Sequence, residues 1–64
     1  MEPNFQGGVY PSRSVMRRIR RHAHRLAREL FYRKKYNEFM ATMIEQLEAG
    51  ALDEPAIEQW EPDA

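Results

Sequence analysis

Apolar residues recur along the middle of the chain at Met16, Ile19, Ala23, Leu26 and Leu30, in alternating steps of three and four. At about 100° per residue these positions share one face. The spacing predicts an amphipathic helix opening at Ser12 or Ser14, either of which can accept from the free N–H groups of a first turn. Continued past Leu30, the same steps reach Arg33 and Asn37, which are polar. The apolar series resumes instead at Tyr36, Phe39, Met40, Met43, Ile44 and Leu47. That second stripe is rotated by roughly a third of a turn from the first, so one straight helix cannot lay both on a single surface. The chain is expected to turn between Tyr32 and Asn37, with Asn37 capping a second helix. The alternative is one long kinked helix that buries different faces at its two ends.

Gly50 follows the second stripe and suits the left-handed conformation that closes a helix. Asp53 then reads as an N-cap and Pro55 as a first-turn residue of a short helix whose apolar edge is Ala56, Ile57 and Trp60. Trp60 is expected to serve as a lid on the core. Ahead of the first helix, Pro3, Gly7, Gly8 and Pro11 interrupt any period. The expected architecture is all-α: a helical hairpin plus a short C-terminal helix. It has an irregular N-terminal arm at 1–11, a single small helical domain at 12–60 and a disordered acidic tail at 61–64.

Length changes how that hairpin must be stabilised. A chain of 64 residues buries only about 60% of the surface its unfolded form exposes. With no cysteine, neither a disulfide framework nor thiolate metal ligation is available. A partner or a second copy of the chain is the expected source of added stability, so a homo-oligomer is anticipated. No apolar run approaches the roughly 20 residues of a membrane span, and no signal peptide is recognisable at the start. The expected location is cytoplasmic.

The formal net charge is zero, yet the charges are segregated. All ten Lys and Arg residues fall between Arg13 and Lys35, where Glu29 is the lone acid. From Tyr36 onward there is no cation, and every acid except Glu2 and Glu29 lies there. In one continuous helix this order would oppose the macrodipole. With the two halves lying against each other, acidic and basic flanks would face, and each exposed pair would contribute only about 0–1 kcal/mol.

Candidate catalytic chemistry is absent from the pattern. His22 and His24 are two apart and point to different sides of a helix, so they are expected as polar residues of the cationic face rather than metal ligands. No metalloprotease helix, glycine-rich phosphate loop or paired thiol motif occurs. The expectation is a binding protein, not an enzyme, with no cofactor, metal or small-molecule substrate.

The first functional expectation is a small regulatory protein that holds a nucleic-acid backbone. Planar guanidinium forks match phosphate oxygens, and arginine far outnumbers lysine here. The expected contacts are Arg17, Arg18, Arg21, Arg25, Arg28, Arg33, Lys34 and Lys35, with the acidic C-terminal section modulating access. Phe31, Tyr32 and Tyr36 beside these cations are suited to stacking on unpaired bases, although the hairpin core is the commoner fate of such a cluster. The second expectation is an adaptor or inhibitor that docks a partner enzyme or an acidic protein surface. Its face would carry Met40, Met43 and Trp60, because methionine and tryptophan are frequent recognition side chains.

Overall fold

A computed structural model of the chain describes residues 10–62. Within them run helix α1 (Arg13–Glu29), a 3₁₀ turn (Arg33–Lys35), helix α2 (Tyr36–Glu48) and a C-terminal 3₁₀ helix (Glu54–Gln59), with no strand among the described residues. The all-α hairpin is therefore the architecture, and a single long kinked helix is not. Of the expected irregular arm, only Tyr10 and Pro11 are described, and of the expected acidic tail only Glu61 and Pro62.

Ser12 opens α1, accepting the Val15 N–H on its hydroxyl at 3.4 Å. The helix then follows its apolar period, burying Val15, Ile19, His22, Ala23, Leu26 and Ala27. It ends earlier than the phase change implies. Phe31 adopts a left-handed backbone at φ 57°. The Tyr32 N–H returns to the Ala27 carbonyl at 2.8 Å, and the Phe31 N–H to the Arg28 carbonyl at 3.4 Å. That pair of bonds is the Schellman closure. Gly50 closes α2 in the same way: φ is 78°, the Ala51 N–H reaches the Gln46 carbonyl at 2.8 Å, and the Gly50 N–H reaches that of Leu47 at 3.2 Å.

Asn37 does not cap the second helix. Lys35 holds the N-cap position without a side-chain bond, and Asn37 lies inside the first turn of α2. The reorientation expected at Asn37 has already been accomplished at Phe31. Splitting the chain there also relieves part of the dipole conflict, since Arg28 now sits in the last turn of one helix and Glu38 in the first turn of the next.

Helix α2 turns its stripe toward α1. Phe39, Met43 and Leu47 join Val15, Ile19, Ala23, Leu26, Ala27 and Ile57 in one buried cluster, flanked by half-buried Met16, Tyr36, Met40, Ile44, Leu52 and Trp60. Ile19, Met43 and Ile57 are fully enclosed, each stabilising the fold by roughly 1.5–3 kcal/mol through burial. The expected meeting of acidic and basic flanks between the two helices does not occur among the described residues. Their ion pairs are Arg18 with Glu58 and Lys35 with Glu38, so none of them joins α1 to α2.

The C-terminal segment closes the remaining side. Asp53 is at the N-cap position, though without a side-chain bond, and Pro55 falls in the first turn. Ile57 enters the core, and the Trp60 indole meets Phe39 edge to face with centroids 6.0 Å apart. The His22 Nε2–H donates to the Trp60 carbonyl at 2.8 Å. His22 is therefore a buried latch and not, as expected, a polar residue of the cationic face. It lies about 60° from Ile19 around the helix, close enough to the core for the C-terminal segment to cover it.

Candidate nucleic-acid interface

On the face of α1 opposite Ile19, the side chains of Arg13, Arg17, Arg21, His24, Arg25 and Arg28 are exposed. Arg17 to Arg28 covers roughly 16 Å of helix at 1.5 Å per residue. Arg21, His24, Arg25 and Arg28 line an open groove of about 600 Å³. No ion pair among the described residues involves Arg17, Arg21, Arg25 or Arg28. Cations stand at i,i+4 in Arg13–Arg17, Arg17–Arg21 and Arg21–Arg25 and at i,i+3 in Arg25–Arg28. Each such like-charge pair weakens a helix by roughly 0.2–0.5 kcal/mol. The folded chain thus carries an electrostatic burden along one face that a polyanion would relieve.

Arg18 departs from the expected set. It sits about 100° from Ile19, on the flank covered by the C-terminal 3₁₀ helix. Its Nε and Nη2 donate to the two carboxylate oxygens of Glu58, each at 3.1 Å, and Nη2 also donates to the Glu54 carbonyl at 2.9 Å. The bond from Arg18 holds the Glu58 carboxyl below its ordinary range, and the same bond raises the guanidinium in turn. Arg18 is thus a brace between elements. Glu54 spends its own carboxylate on the Tyr10 hydroxyl, which donates at 2.8 Å. Arg25 borders a second groove of about 170 Å³ that is lined by Glu29, Glu58 and Glu61 together with His22 and Trp60. This groove marks the edge of the cationic face.

Around the hairpin turn, Arg33, Lys34 and Lys35 are exposed, and Lys35 reaches Glu38 at 3.3 Å across an open, solvated pair. Beside them Phe31 is 89% exposed and Tyr32 53% exposed, with Leu30 also open. The hairpin-core fate anticipated for the aromatic cluster applies only to Tyr36, which is half-buried and stacks on His24 at 4.6 Å with the rings 22° from parallel. Phe31 and Tyr32 are turned outward because the left-handed step at Phe31 swings the chain away from the core before α2 begins.

The three side chains expected on a partner-docking face are placed differently. Met43 is fully buried, and Met40 and Trp60 pack against the same cluster. The hairpin thus encloses Met43 and leaves Met40 and Trp60 half-buried at the edge of the core. Among the described residues, no three His, Cys, Asp or Glu side chains gather as a metal site, and no helix is long and apolar enough to cross a membrane. The chain matches no protein-family model, no curated protein and no solved structure.

Proposed function

We propose that this protein binds nucleic acid through the outer face of α1, with Arg17, Arg21, Arg25 and Arg28 on consecutive phosphates and Arg33 and Lys34 extending the contact around the turn. One observation carries the reading: a row of mutually repelling guanidinium groups that the chain's own described carboxylates leave open. A surface needing only solubility gains nothing from a single-sign row, whereas counterion release makes such a row attractive to a polyphosphate. The acidic C-terminal segment supports this face from behind. Glu58 engages Arg18 at the flank and fixes the helix that presents the others.

The test is fluorescence anisotropy of a labelled mixed-sequence oligonucleotide titrated with the protein. If about six phosphates are neutralised, affinity falls on the order of 10³-fold between about 50 and 200 mM salt. Replacing Arg21, Arg25 and Arg28 together by glutamine, which keeps helix propensity but removes the charge, flattens that dependence. Affinity indifferent to salt, or to the triple replacement, refutes the proposal.

A further inference from the structure

Phe31 combines two features that a folded chain ordinarily avoids together. Its backbone is left-handed at φ 57°, a conformation that crowds the Cβ of any L-residue. Its side chain is 89% exposed, so packing within the chain does not compensate. The same protein shows what the position requires structurally: at the end of α2 an identical closure is made by Gly50 at φ 78°. Strain kept at one residue, where a glycine would serve the fold better, points to a task outside the fold.

The surroundings state the chemistry. Arg28 precedes Phe31 by three residues and Lys34 follows it by three, so both Cα atoms lie within about 11 Å of that of Phe31. Tyr32 adds a second, half-open ring. The cationic face of α1 leads directly to this tip. An aromatic ring at the end of a row of guanidinium groups matches the recurring arrangement of single-strand binding, in which the backbone follows the charge and bases stack on the rings. A fully paired duplex has no free base face to offer. A lipid surface would need apolar side chains along the face that carries the arginines, and on α1 those are turned into the core.

We infer that the hairpin tip is a base-stacking platform on which Phe31, seconded by Tyr32, takes an unpaired base of a strand whose phosphates run along Arg28, Arg25 and Arg21. The inference rests on the nucleic-acid reading above and narrows its ligand to single-stranded or looped RNA or DNA.

Anisotropy with a short single strand, as RNA and as DNA, and with the matching duplex tests it on three proteins: wild type, Phe31→Gly and Phe31→Trp. Glycine suits the backbone, so the first variant stays folded. Loss of one stacked base weakens single-strand binding on the order of 5- to 150-fold. Duplex affinity and the salt dependence stay as in the wild type, and Phe31→Trp retains single-strand affinity. Equal losses on single strand and duplex, or no loss on either, overturn the platform while leaving the cationic face standing. If the wild type binds no strand at all, the broader proposal falls with it. Vesicles containing phosphatidylserine and sedimentation of the free protein supply the remaining arms. If Phe31→Gly abolishes vesicle binding or self-association while single-strand affinity is unchanged, the tip belongs to a membrane or to a second copy, and the inference is overturned.

Discussion

Replacing Phe31 and Gly50 in parallel tests the backbone on which the hairpin depends. Both residues stand two positions past the last residue of a helix, both have positive φ, and both donate to the carbonyl three residues back. The left-handed conformation costs an L-residue roughly 1–2 kcal/mol, and glycine's greater freedom in the unfolded chain offsets about 0.4–1 kcal/mol of the advantage gained by avoiding it. Glycine should therefore exceed alanine by roughly 1 kcal/mol at either site. Comparing Phe31→Gly with Phe31→Ala cancels the aromatic contacts, which are few in any case because the ring is 89% exposed. At Gly50 an added Cβ meets no atom within 4 Å, so Gly50→Ala reports the backbone alone. Thermal melts followed by circular dichroism at the helix band resolve this, since 1 kcal/mol moves the midpoint of so small a domain by about 4–8 °C. The expected order is Phe31→Gly above Phe31→Ala, by a gap similar to that between wild type and Gly50→Ala. If Phe31→Ala melts as high as Phe31→Gly, the strain assigned to this turn is absent.

Three further perturbations separate the other supports. Ile57→Ala should remove about 2–5 kcal/mol from a fold whose total is only about 3–10 kcal/mol at this length, freeing the C-terminal segment. Trp60 fluorescence would shift to the red, and an unshifted spectrum at an unchanged midpoint would disprove the anchoring role of Ile57. Glu58 is held below its ordinary value of 4.5 chiefly by the bond from Arg18. The folded-state value is the lower one, so the pair contributes stability at neutral pH and loses it as the pH falls through that value. Glu58→Gln should lower the neutral-pH midpoint slightly and flatten its decline in acid. Parallel acid profiles for the two proteins would contradict this. Ser12→Ala should destabilise α1 by about 0.5 kcal/mol, the low end for an N-cap, because its bond to Val15 is long at 3.4 Å. A loss several times larger would show that the hydroxyl has another task.

The two helices were legible because each stripe spans several turns and the slip between them is large. The position of the break was not. No glycine or proline marks Leu30 to Tyr32, and the residue that takes the left-handed step is one whose type argues against it. The Gly50 closure, carried by a residue that favours the conformation, was readable in advance. His22 and Arg18 were misplaced for a different reason. Their partners are a backbone carbonyl and a carboxylate about 40 residues further along (a separation at which helical period carries no information), so both looked like members of the cationic face. Among the candidate binding residues, the cations at 17, 21, 25 and 28 needed only the 3.6-residue repeat. The outward aromatics at 31 and 32 depended on the unmarked step in the backbone.

The hydrophobic cluster between α1 and α2 has an implication for how the molecule can vary. Its interior relies on none of the outer arginines, and those arginines rely on no carboxylate across the seam. Substitution along the exposed row can thus change the charge the molecule presents while the hairpin keeps its shape, and the interior can be repacked without rewriting the cationic face. A chain this small ordinarily forces each residue to serve both ends. Here the two duties are divided between opposite sides of a single helix.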